Sequence, residues 1–296
     1  MTASALAYPY LLTRAALAAR RSGPGGAFDR FGRTLGARLL LRGWRYGAVL
    51  LLHPVDSVRY FEFPFALSCC PDLPRRCLDV GSPRLFSLYL AQRHPQAEIR
   101  MINPDAADLG ISARIARMLR MSNLTFDSRG ADAASAEEGR YDCIWSISVV
   151  EHVAGRYQDV EAVRWMYGAL ADGGRLILTV PVDRTFREEF RDRPQYGTQP
   201  SAAGRHFFQR VYDRAAIWDR LVEAVGREPD RVAWFGERTA GRFAAYQQRW
   251  LERGLAATVD DPKEIAEHYT TFPSWETMPG QGVCGLMFEK PARGAR

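Results

Sequence analysis

Between Arg76 and Glu289 short apolar runs alternate with longer amphipathic stretches, a pattern that predicts strands alternating with helices. The runs are Cys77 to Val80, Ile99 to Ile102, Leu124 to Phe126, Asp142 to Val149 and Arg175 to Val180, the last halted by Pro181. Between them lie the helical stretches Leu85 to Arg93, Ala106 to Met121 and Asp159 to Leu170. The third of these stops at Asp172-Gly-Gly174, because glycine accepts the left-handed conformation that ends many helices. An irregular stretch follows, then a helix from Asp213 to Val225, then two last strands, Arg231 to Phe235 and Gly282 to Glu289. Such alternation predicts an α/β fold: a Rossmann-like, doubly wound, mostly parallel sheet with antiparallel edge strands.

The flanking segments follow other patterns. Leu11, Leu12, Ala15, Ala16 and Ala19 recur at helical spacing, and Ser22-Gly-Pro-Gly-Gly26 breaks that helix. A second helix is expected from Phe28 to Leu52, arginine-rich on one side and leucine-rich on the other. Val55 to Phe65 is aromatic and turn-like. The interval between the last two strands holds a helical stretch, Arg242 to Arg253, and a loop rich in Pro, Trp and Met from Pro273 to Pro279. The expected organisation is a helical N-terminal extension over residues 1–70 and an α/β domain over 71–296, with an insertion at about 237–281.

Charge changes how the extension reads. The formal net charge is +6. Residues 1–55 carry eight arginines (Arg14, Arg20, Arg21, Arg30, Arg33, Arg38, Arg42, Arg45) against one acid, Asp29; that is +7, which leaves −1 for the rest. An arginine-rich amphipathic helix suits peripheral contact with an anionic surface, or a helical lid whose arginines are solvated or paired. Nucleic acid is not an expected partner, since arginine on one flanking segment lacks the lysine and interleaved aromatics of a broad binding face. The five cysteines, at 69, 70, 77, 143 and 284, are odd in number and show no C-x-x-C spacing. They point away from a disulfide framework and from structural zinc, and toward a reducing, cytoplasmic compartment. No apolar run reaches the ~20 residues of a membrane span, and a secretory signal is not expected.

In an open α/β sheet the ligand sits beyond the carboxyl ends of the strands, near the point where strand order reverses. The candidate positions are therefore Asp79 to Arg84, Asn103 to Asp105, Asp127 to Asp132, Ser146 to His152 and Val180 to Arg184. Three segments carry a resemblance: Cys77-Leu-Asp-Val-Gly81, Tyr141-Asp-Cys-Ile-Trp-Ser-Ile-Ser-Val-Val-Glu-His-Val153 and Leu170-Ala-Asp-Gly-Gly-Arg-Leu-Ile-Leu-Thr-Val-Pro181. In these the chain resembles the class I S-adenosylmethionine-dependent methyltransferases. It is closest to the small-molecule, type 11-like group, whose fourth strand runs into Glu-His. The resemblance covers about residues 70–290.

It implies S-adenosyl-L-methionine as cofactor and a small-molecule acceptor methylated on oxygen or nitrogen. By motif position it implies cofactor contacts at Asp79, Gly81, Ser82, Asn103, Asp132 and Ser146. Asn103 would meet the ribose and Asp132 the adenine amino group. His152, just past the fourth strand, would accept a proton during an in-line displacement, a task that suits an imidazole. Glu151, Asp183, Arg184, Tyr196 and His206 are the candidate substrate residues. Each has a plain structural alternative: Asp79 as a helix cap, Asn103 as a turn residue before Pro104, Asp132 as a solvated acid, His152 as a packing residue, and the others as loop surface. The sequence departs from the family where Pro83 and Leu85 replace the second and third loop glycines, and where Asn103 replaces an acid. Besides an active methyltransferase, these departures keep a catalytically inactive binding or scaffold protein in view. A nicotinamide-dependent oxidoreductase ranks last, because no G-x-G-x-x-G turn follows the first strand.

Overall fold

The computed structural model describes residues 13, 23–129, 139–155, 158–192, 204–254, 257 and 261–292. The chain divides into two compact units, Met1–Phe65 with Trp234–Gly282, and Ala66–Ala233 with Val283–Arg296.

The second unit is the α/β core. Its strands are β1 (Arg76–Val80), β2 (Glu98–Ile102), β3 (Leu124–Asp127), β4 (Tyr141–Ile147) and β5 (Leu170–Val182). They lie parallel in the order β3-β2-β1-β4-β5. A β4 of Tyr-Asp-Cys-Ile-Trp-Ser-Ile is buried at six of its seven positions, as a central parallel strand covered on both faces must be. The crossovers carry α4 (Arg84–Arg93), α5 (Ala106–Leu119) and α6 (Gln158–Ala169). Because β1 sits between β2 and β4, the winding reverses there and opens a crevice at the carboxyl ends.

Most core elements fall where the apolar pattern places them, but three expectations about residues 170–212 are corrected. Asp172-Gly-Gly174 does not end the helix, which stops at Ala169; it lies inside β5, which begins at Leu170. Pro181 does not halt β5, which runs on to Val182. Proline lacks only its N–H, and its carbonyl here accepts the Tyr212 N–H at 3.0 Å. The stretch read as irregular contains an antiparallel pair, β6 (Arg187–Arg191) and β7 (His206–Val211). A helix follows from Arg214 to Val225, as expected, with a π-helical turn at Trp218–Val222 and an N-cap bond from the Ala216 N–H to Asp213.

The antiparallel strands expected near the end of the chain are present. They are β8 (Arg231–Glu237) and β10 (Gly282–Glu289), the latter beside β5; a further strand that the sequence pattern did not mark, β9 (Tyr269–Phe272), pairs antiparallel with β8. The start of β5 meets the end of β10, with Gly173 and Gly174 exchanging backbone bonds with Lys290 at 2.8 Å, so β10 runs antiparallel.

The first unit holds α1 (Gly26–Leu41), α2 (Tyr46–Leu52), the first turns of α3 (Arg59–Cys69), α8 (Arg242–Arg253), α9 (Asp261–His268) and β9. (The short Arg214 helix is counted as α7.) The single helix expected from Phe28 to Leu52 is two. Gly43 takes φ +77°, and the Gly43 and Trp44 N–H groups return to the Leu40 and Leu39 carbonyls, closing α1 with a Schellman turn. The segment expected to be turn-like is the helix α3, with Pro64 inside it. Burial of Tyr60, Phe61, Phe63 and Phe65 outweighs the cost of one proline, on the order of 3 kcal/mol. Phe63 packs on Phe28 at 5.1 Å and Phe61 stacks on Phe235 at 5.8 Å. Asp261 ties sequence-distant parts of this unit together, accepting the Ser57 N–H at 2.8 Å and the Tyr246 hydroxyl at 2.9 Å. The helix expected over residues 1–22 lies outside the described residues, apart from Thr13. Among the described residues no helix is long and apolar enough to cross a membrane.

Candidate functional site at the carboxyl ends of the strands

At the end of β1, Asp79 turns inward. It is 1% exposed; one carboxylate oxygen accepts the Ser82 N–H at 2.9 Å and the other accepts the Ser87 hydroxyl, which in turn receives the Trp145 indole N–H at 3.2 Å. Burial raises its pKa to about 7, against the opposing pull of the hydrogen bonds from Ser87 and Ser82. Gly81 follows at φ +66°, and a Cβ there would stand 3.1 Å from the Val149 side chain, so both conformation and space call for glycine. Ser82 is buried, and its Oγ accepts the Ile147 N–H at 3.0 Å, locking the β1 loop to the end of β4.

At the end of β2, Asn103 forms an Asx turn. Its Oδ1 accepts the Asp105 N–H at 2.9 Å and its Nδ2 donates to Asp108 at 3.3 Å. Asp105 caps α5 through the Ala107 and Asp108 N–H groups. The Arg84 guanidinium, at the start of α4, binds Asp108 and the Ser112 hydroxyl. Arg84, Asp108 and Asn103 thus form one polar chain between the ends of β1 and β2. Beyond β3, Asp127 pairs with Arg100 and Arg129, while Asp132 lies outside the described residues.

The end of β4 turns sharply. Ser146 is fully buried, and its Oγ has no hydrogen-bond partner among the described residues. Ser148 adopts φ +50°, its N–H shared between the Thr179 carbonyl and hydroxyl at 3.1 and 3.0 Å. A 3-10 turn, Val150–His152, then presents Glu151 and His152 side by side, with Nε2 of the histidine 3.8 Å from a Glu151 oxygen. His152 Nδ1 lies 2.7 Å from the Phe208 carbonyl, and the two rings stand 5.1 Å apart. A carbonyl only accepts, so Nδ1 carries a proton, and the neutral form of the ring has its lone pair on Nε2.

Past β5, Asp183 pairs with Arg187 at 2.6 Å and accepts the Arg184 N–H. Arg184 is exposed; His206 stands opposite Arg191 in the β6–β7 pair, and Tyr196 lies outside the described residues. The structure therefore gathers Asp79, Gly81, Ser82, Ser146, Glu151 and His152 around the ends of β1 and β4. Asn103 lies at the adjoining β2 end, and His206 lies on the separate two-stranded sheet.

Sequence reasoning missed the group that holds the Glu151-His152 turn. Asp159, at the start of α6, is fully buried and accepts two bonds from Arg220, at 2.8 and 2.6 Å, and one from the Tyr212 hydroxyl at 3.0 Å. Arg210, 1% exposed on β7, donates to the Val153 and Gly155 carbonyls just beyond His152 and pairs with Glu188 at 3.3 Å. The run His206-Phe-Phe-Gln-Arg-Val211 does not alternate apolar with polar, so no period-2 signal marked β7. Among the described residues no group of three or more His, Cys, Asp or Glu side chains could hold a metal ion.

No family model matches the sequence, and no curated protein matches it. Solved structures do match. A geranyl diphosphate C-methyltransferase from Streptomyces coelicolor A3(2), solved with Mg2+, geranyl-S-thiolodiphosphate and S-adenosyl-L-homocysteine, aligns with a TM-score of 0.50 and 14% identity, covering 82% of this chain and 79% of that one. The fold is that of the class I S-adenosylmethionine-dependent methyltransferases. Coclaurine N-methyltransferase bound to N-methylheliamine and S-adenosyl-L-homocysteine matches at TM-score 0.48 and 12% identity, over 96% and 99% of the two chains. The [4+2]-cyclase SpnF matches at 0.47 and 18%, over 84% of each. At such identities the likeness is one of methyltransferase fold alone.

Proposed function

We propose that the chain binds S-adenosyl-L-methionine at the ends of β1, β2 and β4 and transfers its methyl group to an oxygen or nitrogen of a small-molecule acceptor. The observation that carries this reading is the β1 turn: a buried Asp79 followed by a left-handed Gly81, at the point where a methyltransferase-type sheet reverses its winding. The residues present fit such a ligand. Gly81 leaves backbone bare beside the crevice, Ser146 offers a buried hydroxyl, and the Asn103 carbonyl oxygen keeps a second lone pair for a ribose hydroxyl. Gly81, Ser82 and Ser146 would hold the methionine end and Asn103 the ribose.

The cofactor would supply an electrophilic methyl group. The chain supplies alignment of the acceptor and a base. His152 receives the acceptor's proton on Nε2, the Phe208 carbonyl fixes the tautomer, and the Glu151 carboxylate 3.8 Å away favours the imidazolium that results. Asp183 and Arg184 line the polar approach beyond β5.

A second reading, a methyltransferase-like binding protein without catalysis, draws on Pro83 and on the Arg84–Asp108–Asn103 chain, which engages the ribose position internally. Calorimetric titration with S-adenosylmethionine and then S-adenosylhomocysteine separates the two. Micromolar binding to both supports the enzyme; a folded protein that binds neither at millimolar concentration supports the scaffold. His152→Ala should then leave cofactor affinity unchanged while lowering turnover roughly 100-fold or more. Parental turnover in that variant would remove His152 from the chemistry.

A further inference from the structure

We propose that the turn joining α1 to α2 is a docking surface for an anionic lipid bilayer. The two helices form a rigid hairpin. At their crossing Gly36 and Gly47 face each other so closely that a Cβ on Gly47 would stand 2.3 Å from the Gly36 carbonyl oxygen, and one on Gly36 would stand 2.6 Å from the Gly47 oxygen. Backbone in contact with backbone cannot give way, so the tip of the hairpin is held in place. The Schellman turn at Gly43 fixes its conformation.

What the tip presents is unusual for a water-facing turn. Leu41 is 88% exposed and Leu40 is 36% exposed, whereas Leu35 and Leu39 on the same helix are buried. Trp44 and Tyr46 stack at 5.1 Å beside these leucines, half-buried. Around them stand Arg38, Arg42 and Arg45, all exposed, and no acid lies between Thr34 and Val55. The same helix contains a contrast. Arg33 is held by Asp29 at 2.7 Å and by the Leu51 carbonyl at 2.6 Å, so that arginine belongs to the fold. The tip arginines are exposed within a few residues of the exposed leucines.

A leucine protruding among arginines, with a Trp–Tyr pair at its side, matches the layering of a bilayer surface. The leucines enter the acyl boundary, the aromatic rings sit at headgroup depth, and the guanidinium groups pair with phosphates. A second copy of the chain is a poor occupant, because it would set three arginines against three arginines. Nucleic acid makes no use of a central leucine. The inference is independent of methyl transfer.

The test is co-sedimentation of the full chain with vesicles of equal parts phosphatidylglycerol and phosphatidylcholine, beside vesicles of phosphatidylcholine alone. The parent is expected to bind the anionic vesicles, to bind the neutral ones far less, and to be released by high salt. Arg42→Gln should lower partitioning about fivefold, and Leu41→Ser roughly tenfold. Both positions are exposed, so circular dichroism should show both variants folded. Equal binding to neutral vesicles, or parental binding by both variants, would overturn the proposal. So would a concentration-dependent dimer that Leu41→Ser abolishes, or retention of duplex DNA by the parent in place of vesicles.

Discussion

At the carboxyl end of β1 the chain buries polar groups, and at the tip of the α1–α2 hairpin it exposes apolar ones. Asp79, Ser82 and Ser87 are almost wholly removed from water and exchange hydrogen bonds among themselves and with the Ile147 backbone. Leu41 is 88% exposed beside arginines. Each arrangement forgoes stability that a plainer choice would supply: an apolar residue at 79, a polar one at 41. The difference teaches what each place is for. Buried polar groups that satisfy one another hold a loop in one conformation, which a chemical site needs. An exposed leucine contributes nothing to folding and is free to stabilise a contact made from outside.

The sharpest way to break the first arrangement lies at the acid that fastens the neighbouring turn. Asp159→Ala removes the acceptor for Arg220 and Tyr212 and strips Arg210 of a nearby charge. Leaving buried cations uncompensated costs about 3–5 kcal/mol. Urea denaturation should show a loss of that size, and turnover should fall further than stability explains, because the segment bearing His152 loosens. A loss under about 1 kcal/mol would show that the cluster does not organise the turn.

Next in size is the hairpin itself. Gly47→Ala places a methyl group 2.3 Å from a carbonyl oxygen and 2.8 Å from the Leu40 nitrogen, both backbone atoms. The helices must separate, at an expected cost of about 3 kcal/mol. Denaturation measures this, and vesicle binding should drop with it, since the tip would no longer be held.

Asp79 offers a smaller, signed effect. Its folded pKa, about 7, lies above the ordinary aspartate value of 3.8, so the folded state keeps a proton that the unfolded chain releases. The stability this contributes is complete below about pH 3.8 and is lost as pH rises toward 7. Between about pH 5.5 and pH 7 the parent should lose about 2 kcal/mol relative to Asp79→Asn, which stays neutral throughout. Parallel stability curves for the two proteins would mean that Asp79 is already ionised in the folded state.

How far these places were legible in the sequence follows from their physics. The core strands announced themselves because parallel strands are covered on both faces, so β4 reads as a largely apolar run. The strand ends, and with them the positions of Asp79 and His152, followed from the topology rule. Their partners did not. Ser87 sits a full turn inside α4, and Trp145 reads only as a core residue of β4. Arg210, 1% exposed on β7, is indistinguishable in sequence from a surface arginine, and β6, Arg-Glu-Glu-Phe-Arg, reads as charged loop surface. In the first unit, Pro64 concealed a helix that buried aromatics sustain, and Gly43 divided another that periodicity alone would continue. The uneven charge of the N-terminal segment was plain from composition. Which arginines pair and which stand exposed near an exposed leucine required coordinates.

The smallest expected effect is the most discriminating for the hairpin tip. Leu41→Ser removes an apolar side chain that is 88% exposed and already stands in water. Thermal or urea denaturation in the absence of lipid should therefore match the parent within about 0.5 kcal/mol. Leu39→Ser, two residues earlier on the buried face of the same helix, serves as the contrast and should cost several times more, on the order of 3 kcal/mol. If Leu41→Ser proved as costly as Leu39→Ser, the leucine would belong to the core, and its exposure could no longer mark a surface kept open for a partner.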